Sequence, residues 1–479
     1  MSRRGGLAVF VLTGAASFMA ALDNLVVTTA LPQIRQDLGA DLESLEWTVH
    51  SYTMTFAVFM LAAAVLGDRY GRRTVLLAGV SVFTAASALA AMSTSTGVLL
   101  AARALQGLGG SVIFPLSLTV LVHAVPPARR GLAIAGLSVA NGLAIALGPF
   151  VGGVAVQLAG WHWIFWINVP IGLLVVPFGA RLLAQSRGPQ ARLDVTGTVL
   201  VTLALLGPVY GLVRSVSRGW LDPQVLLPLL AGVVFLAAFV AWERRAVEPV
   251  VPLRLFRSRG FRLTSVVALL VQAGMFGSIF LIMQFFQDVL HYSPLGAGVR
   301  TLPWTVMPLL VAPLSAVLAD RWGVRPLMVL SCAMQAGVLA WLALVVAVDM
   351  PYLPLLPAMV VGGVGMGLFF GLNARQALEF VSDDDRGVAS GVNHAMRQVG
   401  VVLGVAVLAT VFSAFSGGAR DGAHFVAGIS PALLLGCGVL SLATVAAIAT
   451  PATRRAAGPG DPDPGRAGTS GDRIAARRG

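Results

Sequence analysis

Long uninterrupted apolar runs, parted by short polar knots, are the dominant pattern of this 479-residue chain. Most runs come close to the ~20 residues that an α-helix needs to cross a bilayer. Barrel strands would alternate apolar and polar positions; these runs do not, so helices are the predicted elements. Spans are expected near 7–31, 47–66, 74–93, 98–122, 131–158 and 163–183. Two more follow near 193–213 and 224–242, then six near 261–289, 296–319, 326–348, 352–374, 386–413 and 429–450. The expectation is an all-α membrane protein of about fourteen transmembrane helices.

The polar knots carry an internal repeat. Leu66-Gly-Asp-Arg-Tyr-Gly-Arg-Arg73 separates two apolar runs, and Leu318-Ala-Asp-Arg-Trp-Gly-Val-Arg325 separates two others, with Asp68 and Asp320 252 residues apart. Arg130-Gly-Leu-Ala133 returns as Arg386-Gly-Val-Ala389 at an offset of 256. The chain therefore reads as two six-helix copies: a first bundle over 1–183, an inserted helix pair over 184–245 and a second bundle over 246–450. The stretch 451–479, rich in Gly, Pro, Asp and Arg, reads as a disordered cytoplasmic tail.

Composition agrees with residence in lipid. Hydrophobic residues make up 57% and charged residues 11%, against about 25% charged in soluble domains. The net charge of +12 does not imply nucleic acid, because the basic residues cluster in short loops. Loops expected on the inner side hold twenty-one arginines, among them Arg69, Arg72, Arg73, Arg321 and Arg325, against four on the outer side. That bias places both termini in the cytoplasm and the protein in the cell membrane. The N-terminal run reads as an uncleaved first helix, because it continues past any cleavage site to Leu31.

All thirty-three basic side chains are Arg. Without Lys there is neither a Walker A site nor a pyridoxal Schiff base. No cofactor is expected, and any pumping would draw on an ion gradient unless a partner supplied ATP. Cys332 and Cys437 fall inside apolar runs and read as packing residues. No soluble segment is large enough for a catalytic domain.

Few charges lie deep in the runs, and those few carry the candidate chemistry. Asp23 sits well inside the first run. A charge near mid-bilayer costs about 2.5–3.5 kcal/mol on insertion scales, so such residues face a cavity or a partner. Desolvation disfavours a buried carboxylate's charged form, which suits it to exchanging protons. Arg103 either pairs with Asp23 or ties helix ends together through carbonyls. The second copy has no acid where Asp23 repeats, near Met275. Asp68, with Gly67, Arg69, Gly71, Arg72 and Arg73, and its copy Asp320 with Arg321, read as inner-gate loops. Glu46 and Asp288 are expected at solvated outer helix ends, and Glu379 and Asp383–Asp385 at the inner mouth.

Small residues recur along one stripe of both copies: Ala135, Ala144 and Gly148 repeat as Gly391, Gly400 and Gly404, while Pro149 becomes Val405. Such stripes let helices approach closely. A bulky side chain at Gly148 should therefore be worse than Gly404→Ala.

With two six-helix copies and the Gly67–Arg73 loop, the chain resembles the major facilitator superfamily of secondary transporters. Leu22-Asp-Asn-Leu-Val-Val-Thr-Thr-Ala-Leu-Pro32 is similar to the first-helix signature of its fourteen-helix drug:proton antiporters. Leu99-Leu-Ala-Ala-Arg-Ala-Leu-Gln-Gly107 resembles the fourth-helix motif with a buried Arg. Gly148-Pro-Phe-Val-Gly-Gly153 resembles the fifth-helix antiporter motif, which singles out Gly148, Pro149, Gly152 and Gly153. Trp161-His-Trp-Ile-Phe-Trp-Ile-Asn-Val-Pro-Ile-Gly172 also resembles that branch, with His162 where an Arg would stand. Arg397-Gln398 resembles an Arg-Gln pair of the branch, which places Arg397 either on the translocation path or at the inner mouth.

The resemblance implies a monomeric, proton-coupled exporter of hydrophobic, cationic or antibiotic-like compounds, with Asp23, Arg103 and Arg397 serving proton and substrate. Two other readings are uptake of a small solute by symport and a non-transporting membrane receptor. The Gly148-Pro149 motif weighs against the first, and the lack of any soluble signalling domain against the second.

Overall fold

The structure is a computed structural model that describes residues 3–126, 130–187, 194–247, 249–382, 385–417 and 422–451. The expected tail, together with Arg129, Asp383, Asp384 and Arg420, lies outside the described residues.

The first copy comprises α1 (Arg3–Leu38), α2 (Leu42–Tyr70), α3 (Arg72–Ala91), α4 (Thr96–Ala124), α5 (Arg130–Ala159), α6 (Trp163–Trp166) and α7 (Asn168–Leu182). α6 is a single turn that continues into α7, and together they make one span. The pair α8 (Val195–Arg218) and α9 (Pro223–Glu243) follows. The second copy is α10 (Arg259–Gln284), α11 (Pro294–Trp322), α12 (Val324–Val345), α13 (Leu356–Glu379), α14 (Arg386–Ser416) and α15 (Gly422–Ala449).

Among the described residues, twelve stretches are long and apolar enough to cross a membrane, two fewer than expected. The two missing from that set are α2 and α5, in both of which several side chains lie outside the described residues. Both are helical. α2 carries Glu46, Thr48, His50, Ser51 and Thr53 in its first half, and in α5 only Leu147–Ala159 registers as an apolar stretch.

In the first copy, α1 packs on α4, α5 and α7, and α4 also packs on α2 and α3. In the second, α10 packs on α14 and α15, while α13 packs on α11 and α12. The copies meet along two seams, α5 against α11 and α2 against α14. α8 and α9 pack on each other, and α8 leans on α2 and α14; Thr410 Oγ1 on α14 donates to the Leu212 carbonyl on α8 at 3.1 Å. α10 is buried without a break from Val271 to Gln284. A helix that is apolar on every side belongs in the middle of a bundle.

The duplication is visible in the turns. Gly71 and Gly323, also 252 residues apart, both have positive φ, 103° and 89°, and each ends one helix where the next begins. Glycine reaches this backbone region without steric cost.

Contacts across the copies gather at one end, where α1 finishes. A Cβ on Gly153 would lie 2.5 Å from the Pro294 carbonyl, and one on Gly298 2.3 Å from the Pro149 carbonyl. Gln287 Nε2 donates to the Thr29 carbonyl at 3.2 Å, and Arg35 lies 3.8 Å from Asp288. At the other end, Asp68 and Asp320 each pair within their own copy.

Candidate functional site

Asp23 lies where α1, α3, α4 and α7 converge, and it is completely buried. Arg103 of α4, 1% exposed, donates to Asp23 Oδ2 through Nη1. The same guanidinium donates to the Thr48 carbonyl of α2 at 3.1 Å and to Gln106 Oε1 at 2.9 Å. Both sequence alternatives for Arg103 therefore hold together: it pairs with the acid and ties α2 to α4. Gln106 Nε2 donates to Asp23 Oδ1 at 3.2 Å and to Ser87 Oγ of α3 at 2.8 Å. Asn168 Nδ2 of α7 donates to Asp23 Oδ1 at 3.1 Å.

The Tyr52 ring lies under Arg103, 4.4 Å from its Cζ, and the Tyr52 hydroxyl donates to the Ala20 carbonyl at 3.1 Å. A buried ion pair offsets its desolvation cost only when further hydrogen bonds satisfy both partners, and here they do. Neutralising Asp23 would leave Arg103 without its counter-charge and loosen the joint among the helices it ties. All partners of Asp23 belong to the first copy, so the network lies inside one bundle and off the seams.

The two repeated loops, expected to act as inner gates, are built from the same parts used differently. Asp68 Oδ1 accepts from Arg72 Nε at 2.8 Å, and Arg72 Nη1 approaches His123 Nε2 of α4 to 2.8 Å. His123 Nδ1 lies 2.8 Å from the Thr119 carbonyl. Donation from Nδ1 to Thr119 leaves Nε2 as the acceptor for Arg72. Arg73 Nη1 donates to the carbonyls of Ala180 and Leu183, and its backbone NH to Gln185 Oε1 at 3.1 Å.

Gly67 is buried against the Leu116 side chain, Gly71 against the Gln185 side chain, and Arg69 is exposed over the Tyr70 ring. In the second copy, Asp320 accepts from Arg375 of α13 at 2.8 Å, and Arg375 also reaches Glu379 at 3.3 Å. Arg321 is exposed at the helix end. Arg375 stands 252 residues after His123. One copy therefore joins acid and neighbouring helix directly, whereas the other inserts Arg72 between Asp68 and a histidine.

α5 is wedged between α1 and α11. A Cβ on Gly152 would lie 2.2 Å from Thr29 Oγ1, and one on Gly148 3.1 Å from Leu25 Cβ. Gly153 and Pro149 face α11 instead, as the close approaches above show. At the repeated position, a Cβ on Gly404 would lie 2.1 Å from the Ala273 carbonyl oxygen and 2.4 Å from Ala273 Cα. For a single added methyl the two sites differ: backbone meets Gly404, while the nearest atom to Gly148 belongs to a side chain.

Arg397 lies on α14 with its Cζ 4.6 Å from the Phe370 ring centre. Glu46 is buried at 1% exposure, contrary to the solvated position expected of it. The motif reading passed over four residues. His50 is fully buried beside Trp47, with neither ring nitrogen hydrogen-bonded. His394 packs against Phe114 and Phe56. Asn168 sits within the Trp161–Gly172 motif, and only its position beside an aromatic run marked it. Trp304, its Nε1 buried and unpartnered, joins Pro149, Ile279, Ile282, Thr301 and Thr305 around a small apolar pocket between the copies.

Two duplicated helical bundles meeting at two seams, with a charge network buried inside one of them, define a multi-pass membrane transporter. The chain belongs to the Major Facilitator Superfamily, whose family model matches residues 13–405. It is 32% identical over 407 residues to the methylenomycin A resistance protein of Bacillus subtilis, covering 85% of this chain and 87% of that one. It is 36% identical over 409 residues to the cephamycin export protein CmcT of Amycolatopsis lactamdurans, covering 84% of each. Among solved structures, it matches a D-xylose-proton symporter at a TM-score of 0.66 with 15% identity, covering 94% of this chain and 99% of that one. That last likeness concerns the fold alone.

Proposed function

We propose that this chain is a proton-driven exporter of apolar, antibiotic-like compounds, with Asp23 carrying the coupling proton. The observation that carries the reading is the complete burial of an ionisable carboxylate in a network spanning α1, α3, α4 and α7. A proton on Asp23 would remove the counter-charge of Arg103, which holds α2 and α4 together. Protonation thereby becomes a change in helix packing, the link that coupling requires. The relatives named for resistance and export support the outward direction of transport.

The two bundles, 1–183 and 246–450, would rock about their seams, with 184–245 outside the path. The arginine-rich loops and both termini would face the cytoplasm, and one copy of the chain would suffice. A cationic substrate drawn to Asp23 finds no support in the geometry, because Arg103 already neutralises that carboxylate.

The test uses everted vesicles loaded with the full-length chain and a panel holding methylenomycin A and a cephamycin. Accumulation of at least one compound should require an imposed pH gradient and vanish in Asp23→Asn. Gradient-driven accumulation that persists in Asp23→Asn would place the proton elsewhere.

A further inference from the structure

Arg397 on α14, one turn from the residue that meets α2, has no counter-charge among the described residues. Arg397 makes no ion pair or hydrogen bond among the described residues, and its Nε is buried without a partner. Its guanidinium stacks on Phe370, which leaves the N–H groups at its edge free to donate. One turn earlier, His394 packs 5.4 Å from the Phe114 ring of α4 and 6.2 Å from the Phe56 ring of α2. This face of α14 is therefore turned towards the first copy. Asn393 Nδ2 on the same helix is likewise buried and unpartnered. So is Asn141 Oδ1, which occupies the position of Arg397 in the first copy.

Among the described residues, the carboxylates of the helices are, by contrast, engaged; Asp37 accepts from Trp161 at 2.9 Å. Asp23 pairs with Arg103, Asp68 with Arg72, and Asp288 with Arg35. Asp320 and Glu379 pair with Arg375, Glu243 accepts from two backbone NH groups, and Glu46 is also partnered. A cation arriving here meets a guanidinium and no unpaired acid. An anion meets the unpartnered Nε–H of Arg397, one turn from the unpartnered Nδ2 of Asn393, and its arrival supplies the missing counter-charge.

We propose that Arg397 binds the anionic group, a carboxylate or phenolate, of an otherwise aromatic substrate, with Phe370, Phe114 and Phe56 receiving its flat body. The proposal rests on the exporter reading and names the substrate class that the exporter takes.

Three probes sharing one ring system and differing only in charge decide it: naphthoate, naphthamide and naphthylmethylammonium. Each is measured by equilibrium dialysis against the full-length protein in nanodiscs of zwitterionic lipid, with binding to empty discs subtracted. Naphthoate should bind about tenfold or more tightly than naphthamide, and the ammonium more weakly than either. Arg397→Gln should bring naphthoate down to the level of naphthamide while naphthamide binding persists, which shows that the variant is folded. Arg397→Lys should retain part of the preference for the acid.

The proposal is overturned if the ammonium binds as tightly as the acid, if the acid-to-amide ratio survives Arg397→Gln, or if naphthoate fails to bind at millimolar concentration. No gradient is used. Failure of proton coupling in vesicles would therefore leave this result standing, and failure here would leave proton coupling standing.

Discussion

Replacing the buried Asp23–Arg103 pair one partner at a time separates its packing role from its charge. Arg103→Ala leaves a carboxylate that is 0% exposed with only Gln106 and Asn168 as donors. Removing one member of a buried pair costs ~3–5 kcal/mol, and this variant should lie at the upper end. It also removes the bond to the Thr48 carbonyl and the contact with Tyr52. Asp23→Asn is milder. Arg103 keeps Thr48, Gln106 and the Tyr52 face, and the amide oxygen still accepts, so a loss of ~3 kcal/mol follows, at the lower end of the same range.

The double variant Asp23→Asn/Arg103→Gln buries no charge at all. Its loss should fall short of the sum of its two single variants by at least ~1 kcal/mol, within the coupling found for residues in direct contact. Reversible unfolding of the purified protein in mixed detergent micelles measures all four states. Additive losses would refute the reasoning, since they would mean that the two charges do not stabilise each other. Proton release on substrate addition, recorded for the same set, should be absent wherever Asp23 is Asn.

The remaining expectations concern packing and the gates. Gly404→Ala should destabilise by ~1–3 kcal/mol in the same unfolding assay, as overpacking against backbone does, whereas Gly148→Ala should cost less; equal losses would contradict the contacts described. Gly148→Leu should abolish gradient-driven export, because a large side chain must separate α5 from α1; wild-type export would remove α5 from the moving parts. His123→Ala should raise cysteine-labelling rates near Thr74 about as much as Asp68→Asn, since Arg72 bridges the two; a change in Asp68→Asn alone would show that His123 is not in the latch. Gly71→Ala should lower folded yield, because φ of 103° strains any residue with a Cβ and Gln185 already fills the space; wild-type yield would argue against that turn.

Much of the site was legible as residue types and little of it as partners. Asp23 and Arg103 stood out because a charge in an apolar run is costly, yet they are 80 positions apart and nothing along the chain joins them. Asp320 stood out as the repeat of Asp68, but nothing in its loop showed its partner Arg375, 55 residues further on. The repeat offset could have revealed this, because it sets His123 and Arg375 at the same place. What a Cβ would meet at Gly148 and at Gly404 was illegible for a similar reason. Both belong to one small-residue stripe, and only the facing helix decides whether a Cβ would meet a side chain or a carbonyl.

The sequence by itself determined a duplicated set of membrane helices, their approximate positions, the turns at Gly71 and Gly323, and the short roster of deep polar residues. Those properties follow from hydropathy, glycine and repetition, all of which are local along the chain. Tertiary structure decided which charges meet: that Asp23 is neutralised inside one bundle, and that Arg397 stands without a counter-charge beside a seam. Such pairings depend on how helices rotate and cross, which is set by the close contacts of Gly148, Gly152, Gly153 and Gly404 with other helices. A hydropathy pattern says how deep a residue lies; only helix packing says what it faces.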